Sequence, residues 1–184
     1  MHKAFEDGIK YDIPLTDHAD KAVHQFEPLR AWLYGQKAEG TSVLAEHKLG
    51  ITRNYQPTDF FGKDLWVRLA LDVVVDAPYS VLVIDWKSGR YKPEHREDAS
   101  FYRACVRHAM QKPTTIQYHY IDEPASSFAL PEASTDTGAL AGWMKRTNTA
   151  DAALAAGKAD LMPGPQCKWC GAFKCPMNRN EKLR

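Results

Sequence analysis

The amino-acid sequence predicts an α/β protein in which a mixed central β-sheet is flanked by helices. Its clearest signal is a pair of apolar runs, 65–76 and 81–89, which are separated by Ala-Pro-Tyr-Ser. Runs rich in Val, Leu and Ile that are bounded by turn residues are typical of strands. Segments with helical periodicity lie on both sides of this pair in the sequence, which indicates that helices and strands both contribute to the core.

The remaining elements are predicted from periodicity, capping residues and turn residues. Helices are expected in four segments, namely 1–9, Thr16 or Asp17 to about 37 with a kink at Pro28, 93–111 and 136–157. Further strands are expected at 41–54, 114–121 and 128–130. Residues 54–63 have the composition of a loop.

Length and charge narrow the class of protein. The 184 residues are enough for one domain with a substantial core. The formal net charge of +1 excludes a wholesale basic character, so that binding to nucleic acid would depend on a local basic patch. No apolar run approaches the length of a membrane span and no signal peptide opens the chain, which predicts a cytoplasmic protein without a membrane partner.

Charged side chains interrupt both runs of the predicted hairpin. Asp72 lies in the first run, and Asp85 and Lys87 lie in the second. Because side chains alternate along a strand, Asp85 and Lys87 project from one face, and pairing across the turn would bring Asp72 to the same end. Two carboxylates suit a hard divalent cation, and an amine can stabilise charge on a phosphate. The pattern indicates metal-assisted hydrolysis of a phosphodiester, and the alternative is a solvated ion pair at a sheet edge.

The strand of Asp72, followed by Ile84-Asp85-Trp86-Lys87-Ser88-Gly89, resembles the PD-(D/E)XK nucleases, in particular the RecB-like exonuclease branch. The resemblance implies a restriction-endonuclease-like nuclease domain over residues 1–163 that uses Mg²⁺ or Mn²⁺. It also implies that Asp72 and Asp85 are metal ligands and catalytic residues, that Lys87 is the catalytic lysine, and that the backbone carbonyl of Trp86 is a further ligand.

Two helices fit the same resemblance. His2 and Glu6 are four residues apart, and the family has a His-x-x-x-Glu helix whose His is a metal ligand. The resemblance therefore implies His2 as a ligand and Glu6 as a catalytic residue, whereas the alternative for His2 is a frayed terminal histidine. The family also has a Gln-x-x-x-Tyr helix, which implies a catalytic Tyr102, although Asp98 replaces the Gln. Glu46 resembles an acid in the family's first strand.

A basic and aromatic cluster follows the predicted hairpin. Its members are Arg90, Tyr91, Lys92 and Arg96. Cations that contact phosphates and an aromatic ring that stacks on a base would suit a single-stranded or frayed DNA end. The alternative is a solvated loop before a helix.

Three cysteines near the C-terminus form a compact motif. Cys167, Cys170 and Cys175 have the spacing of a thiolate site for zinc or an iron–sulfur cluster, and the alternative is a reduced trio without function. Several RecB-like nucleases close with a similar motif, and this resemblance implies a [4Fe-4S] cluster, with zinc second. We expect the segment 164–184 to pack on the same domain and Cys105 to be a core residue.

The function predicted from these features is metal-dependent DNA hydrolysis. We expect an exonuclease in recombination, repair or phage DNA processing, with a DNA end or single strand as its partner and a recombination or replication protein as a further partner. The alternatives are a catalytically incomplete DNA-binding module of the same fold and a small zinc-bearing interaction protein.

Overall fold

The computed structural model describes residues 2–131 and 136–157. The chain divides into two compact units, Met1–Met144 and Lys145–Arg184. The sheet and the candidate site lie in the first unit. No helix in the described ranges is both long and apolar enough to cross a membrane.

The described residues form a sheet with helices on both of its faces. The helices are α1 His2–Tyr11, α2 Glu27–Ala38, α3 Glu94–Met110 and α4 Asp136–Ala155. The strands are β1 Ser42–Thr52, β2 Pro57–Thr58, β3 Leu65–Asp76, β4 Val81–Lys87, β5 Thr114–Tyr120 and β6 Phe128–Leu130.

The six strands pair in the order β2-β1-β3-β4-β5-β6. Strands β4 and β5 are parallel, and the other neighbouring pairs are antiparallel. A parallel pair needs a long crossover connection, which α3 supplies between β4 and β5. The predicted mixed sheet flanked by helices is therefore confirmed.

Apolar side chains cover both faces of the sheet. On one face, Leu71, Val83 and Ile116 pack with α3, and we call it the α3 face. On the opposite face, Val73 and Ile84 pack with residues of α1 and α2, and we call it the α1 face. Burial on both sides explains why β3 and β4 have almost continuous apolar sequences.

The predicted helix before β1 is shorter than expected. Residues Leu15–Asp17 and Lys21–Phe26 form 3₁₀ turns, and Asp20 caps the second turn by accepting a hydrogen bond from the Ala22 N–H at 3.0 Å. Pro28 lies in the first turn of α2, so the predicted kink at Pro28 is wrong. Proline suits that position because the first N–H groups of a helix have no intrahelical acceptor.

Candidate active site

The site lies where β3 and β4 separate. Their ladder runs from Asp76↔Val81 to Val73↔Ile84. Beyond the last pair, the Trp86 N–H donates to Asp72 Oδ2 at 2.7 Å. A side-chain oxygen thus takes the position that a backbone carbonyl would occupy in a continued ladder, and it fixes the Asp72 carboxylate at the fork between the strands.

Strand β3 changes faces at Asp72. Leu69 and Leu71 pack on the α3 face, whereas Val73 and Val75 pack on the α1 face. A regular strand would keep these four residues on one side, because its side chains repeat every two residues. The change of face shows that the strand is irregular around Asp72.

Strand β1 changes faces at the matching position. Val43 and Ala45 contribute to the α1 face, whereas Leu49 and Ile51 lie on the α3 face. Between them, Glu46 has a φ of 54°, in the left-handed region that non-glycine residues rarely adopt. Such a conformation costs on the order of 1–3 kcal/mol and is frequent at functional sites. The irregularity turns the Glu46 side chain toward the fork.

Three potential ligands converge there. The strand register places Glu46 opposite Asp72. His2, at the start of α1, lies with its Nδ1 3.2 Å from Asp72 Oδ1. One ligand atom each from His2, Glu46 and Asp72 lie within 4.8 Å of one another. Two carboxylates and an imidazole are suitable ligands for Mn²⁺, and carboxylates also suit Mg²⁺, so these residues fit the divalent cation that the fold implies.

Packing of α1 holds His2 in place. Phe5 of α1 stacks on the Trp86 ring, with 3.9 Å between the centroids and 9° between the planes. Both side chains are almost fully buried. Because Trp86 also donates its backbone N–H to Asp72, one residue of β4 positions both the carboxylate and the helix that carries His2.

Asp85 and Lys87 form a pair beside this cluster. Asp85 is 6% exposed, and the Lys87 Nζ lies 2.8 Å from its Oδ1. Burial raises the pKa of the Asp85 carboxyl, and the Lys87 charge opposes that rise. The Lys87 Nζ also lies 4.6 Å from the centre of the Tyr118 ring, and this cation–π contact further restricts the amine.

Tyr102 reaches the same region from α3. The residue is half-buried, and burial raises the pKa of its hydroxyl. The charges of Lys87 and Asp85 also act on that pKa, in opposite directions. Tyr102 packs against the same core on the α3 face as Tyr118, whose ring contacts Lys87.

Glu6 occupies a different environment from His2. Its Oε1 lies 2.6 Å from the Lys10 Nζ, and its Oε2 lies 3.5 Å from the Lys3 Nζ. The hydrogen bond from Lys10 lowers the pKa of the Glu6 carboxyl. Glu6 is thus part of an ion-pair network on α1, and the carboxylate that joins His2 and Asp72 is that of Glu46.

The basic cluster lies directly after Lys87. Arg90, Lys92 and Arg96 are exposed, as contact with phosphates would require. The Tyr91 ring instead packs at its edge against Tyr120 and Phe128, among other rings, and this packing reduces the area available for stacking on a base. In the predicted DNA-binding cluster, the three cations are thus exposed, whereas the Tyr91 ring is engaged by neighbouring rings.

The turn after Lys87 is fixed by two acids from the loop after β5. Gly89 has a φ of 87° and donates its N–H to Asp122 Oδ2 at 2.7 Å. The Tyr91 N–H donates to Glu123 Oε2 at 3.3 Å. These bonds hold the start of the basic cluster close to the end of β4.

Of the four cysteines, Cys105 lies within the described residues. Cys167, Cys170 and Cys175 lie outside the described residues. Cys105 is fully buried in the core of the α3 face, as predicted, and burial raises the pKa of its thiol.

The fold and the site define a restriction-endonuclease-like α/β protein. Residues 3–175 match the model of the PD-(D/E)XK nuclease superfamily, and the chain belongs to this superfamily. Members of the superfamily are usually nucleases that use Mg²⁺ or Mn²⁺, as the sequence resemblance implied.

Comparison with individual proteins gives less information. A solved structure described as "Crystal structure of SSO0001" is 13% identical, and the match covers 96% of this chain and 82% of that chain with a TM-score of 0.41. No curated protein matches the chain significantly.

Proposed function

We propose that the protein is a metal-dependent DNA nuclease of the RecB-like branch that acts as an exonuclease. The observation that carries the proposal is the fork between β3 and β4, where His2, Glu46 and Asp72 form a ligand cluster. The ion pair of Asp85 and Lys87 lies beside that cluster. An acidic cluster alone is common on protein surfaces, but here it coincides with a buried acid, an amine and family membership.

The residues of the fork would divide the work of hydrolysis. His2, Glu46 and Asp72 would hold a divalent cation, with the carboxylate of Asp85 and the backbone carbonyl of Trp86 as further ligands. When bound, the cation supplies Lewis-acid polarisation of the phosphate and activation of water. Lys87 would donate to a phosphate oxygen on which charge develops, because its amine is already restricted by Asp85 and Tyr118.

The charges next to Lys87 support a DNA substrate. Arg90, Lys92 and Arg96 are exposed and can neutralise the phosphates that flank the scissile bond. An enzyme that trims an end or a single strand would serve recombination, repair or phage DNA processing, with a recombination or replication protein as its partner. A tyrosine at the site, Tyr102, would help to orient the phosphate or Lys87.

The C-terminal cysteines would form a metal centre that stabilises the fold and takes no part in hydrolysis. Cys167, Cys170 and Cys175 would supply three of the four ligands of a [4Fe-4S] cluster, with zinc as the second choice, and the fourth ligand is not identified by the sequence. A thiolate centre contributes free energy of folding, because the unfolded chain has no preformed site. Anaerobically purified protein should be brown and contain iron. Stoichiometric zinc in colourless protein would favour a zinc site, and freely titratable thiols without metal would overturn both.

The function is tested with end-labelled single-stranded and double-stranded DNA in Mg²⁺, Mn²⁺ and EDTA. The wild-type protein should release short products from an end in either metal, and EDTA should stop the reaction. Lys87→Ala should lower the rate at least about 100-fold, because one preorganised donor to developing charge is lost. Its circular dichroism spectrum should match that of the wild type. Binding of DNA without cleavage in either metal would favour the catalytically incomplete binding module.

A further inference from the structure

Two adjacent phenylalanines stand out on the surface of the sheet. Phe60 and Phe61 lie in the loop between β2 and β3, and the Phe61 side chain is 75% exposed. The two rings meet edge to face with centroids 5.0 Å apart. Single exposed apolar residues are common and need no explanation, so the surroundings of these rings decide their significance.

Two cations lie over the rings. The Arg68 guanidinium is 4.9 Å from the centre of the Phe61 ring and 5.7 Å from that of Phe60. The Lys48 Nζ is 5.4 Å from the centre of the Phe60 ring. Lys48 and Arg68 are both exposed. Exposed rings interleaved with cations are the arrangement by which proteins bind a single nucleic-acid strand, through stacking on bases and contacts with phosphates.

The loop that presents the rings is fixed to the sheet. Arg68 Nε donates to the Phe60 carbonyl at 2.8 Å, and the Gly62 N–H donates to the Asp59 carbonyl at 2.8 Å. Beneath the loop, a Cβ atom at Gly50 would lie 2.8 Å from the carbonyl oxygens of Thr58 and Asp59. The glycine therefore permits a close approach that a larger residue would prevent, and the rings are held in position before a ligand binds.

The rings lie on the side of the sheet from which α1 brings His2 to the fork. Leu49, Leu69 and Leu71 pack on the α3 face, so the alternating neighbours Lys48 and Arg68 point to the opposite side, where α1 carries His2. Lys48 is two residues from Glu46, and Arg68 is four residues from Asp72. Four residues of strand span about 13 Å. A strand of DNA whose phosphate lies at the fork could therefore place a base near Phe61.

We propose that Lys48, Phe60, Phe61 and Arg68 form a platform that binds single-stranded DNA and directs it into the fork. The inference rests on the proposed nuclease function. Phe61 stacks on a base, Phe60 supports Phe61, and Lys48 and Arg68 contact phosphates. The loop also exposes Asp59, Lys63 and Asp64. Together with Lys48 and Arg68, the charged residues around the rings are therefore three cations and two acids. This balance and the contact of cations with both rings favour a polyanionic ligand over an apolar protein surface.

Binding of fluorescein-labelled oligo(dT) in EDTA tests the platform without hydrolysis. Phe61→Ala should weaken binding about 5- to 100-fold, the range for loss of one stacked base. Phe61→Trp should bind at least as tightly as the wild type, whereas Phe61→Leu should bind like Phe61→Ala. Tyr79→Ala is the matched control, because Tyr79 is 89% exposed in the turn between β3 and β4, and this variant should bind like the wild type.

Two further variants separate position from charge. Gly50→Ala keeps both rings but forces the loop to shift, so it should also weaken binding. Lys48→Ala should reduce the slope of log affinity against log salt by about one, as expected for one lost phosphate contact.

Photocrosslinking tests the stacking contact directly. An oligonucleotide that contains 5-iodouracil should crosslink to the wild-type protein, and Phe61→Ala should lose this crosslink.

The outcomes distinguish the platform from the nuclease function. Equal affinities for wild type, Phe61→Ala and Tyr79→Ala would overturn the platform, and so would a wild-type protein that does not bind oligo(dT). Weakened binding by Phe61→Ala in a protein that never cleaves DNA in Mg²⁺ or Mn²⁺ would retain the platform and overturn the nuclease. Cleavage of DNA by the wild type, together with unchanged oligo(dT) binding in Phe61→Ala, would retain the nuclease function and overturn the platform.

Discussion

Strands β3 and β4 are held together in two different ways along their length. In the paired half, Val73–Asp76 forms a ladder with Val81–Ile84, and most of these side chains are buried in the two cores. In the forked half, the Trp86 N–H bonds to Asp72, and Lys87 pairs with Asp85. The apolar half stabilises the sheet, whereas the polar half positions the candidate metal ligands. Substitutions in the forked half should therefore weaken metal binding, whereas substitutions in the paired half should lower the stability of the fold.

The largest effect is expected from loss of a carboxylate in the forked half. Asp72→Asn keeps the shape of the side chain but removes its charge, and a hard cation prefers that charge. We expect affinity for Mn²⁺ to fall at least about 10-fold, because even the loss of a group that only orients a ligand costs about that much. Asp85→Asn should also weaken binding. Isothermal titration calorimetry measures both effects, and unchanged affinity in both variants would make the acids structural.

A substitution in the paired half should instead lower stability. Ile84 is fully buried on the α1 face and belongs to the last pair of the ladder, with Val73. Ile84→Ala should reduce the free energy of unfolding by about 2–5 kcal/mol, because it removes buried methyl groups and leaves a cavity. Urea unfolding followed by circular dichroism measures the change. The variant should retain its affinity for Mn²⁺ where it is folded, and a selective loss of metal binding would contradict the division between the halves.

Substitutions at Glu46 measure the free energy of unfolding that the left-handed conformation of this residue costs. Both Glu46→Gly and Glu46→Ala remove the carboxylate, so both should weaken Mn²⁺ binding. Only glycine adopts a positive φ without strain, so Glu46→Gly should be more stable than Glu46→Ala by about 1 kcal/mol. Comparison of their urea unfolding curves tests this difference. A Glu46→Ala variant more stable than Glu46→Gly would show that the left-handed conformation at residue 46 stores no strain, because alanine loses less backbone entropy on folding than glycine.

The smallest effect is expected in the core of the α3 face. Cys105 is fully buried and burial raises the pKa of its thiol, so thiolate is scarce and inaccessible. Iodoacetamide should modify Cys105 only after unfolding, as measured by mass spectrometry of the peptide that contains it. Rapid modification in the native protein would mean that this part of the core opens readily.

The contrast between the two halves also explains what the sequence could predict. The bounds of β3 and β4 and the shared face of Asp85 and Lys87 follow from local patterns of period two. The position of the Glu46 carboxylate beside His2 and Asp72 does not follow from such a pattern. It depends on the register between β1 and β3 and on the positive φ of Glu46. The family pattern assigns a catalytic role to Glu6 and only a resemblance to Glu46, but Lys3 and Lys10 engage the Glu6 side chain.

Other differences have the same physical origin. Pro28 is compatible with a kinked helix or with the start of a helix, and only the 3₁₀ turns before it decide between them. The composition of residues 54–63 predicts a loop, but Pro57–Thr58 pair with β1 as strand β2, and nothing local indicates that Gly50 permits this close approach. Contacts between distant segments determine both features, and a single sequence does not encode them in a local pattern.

The most direct test of the fork as a metal centre is anomalous diffraction from crystals grown with Mn²⁺. The central claim is that two strands that separate at Asp72 create the site together with His2 and Glu46. It predicts an anomalous difference peak enclosed by these three side chains, and loss of that peak in Asp72→Asn crystals. A wild-type protein that cleaves DNA in Mn²⁺ but has its manganese elsewhere, with no peak at the fork, would contradict the account.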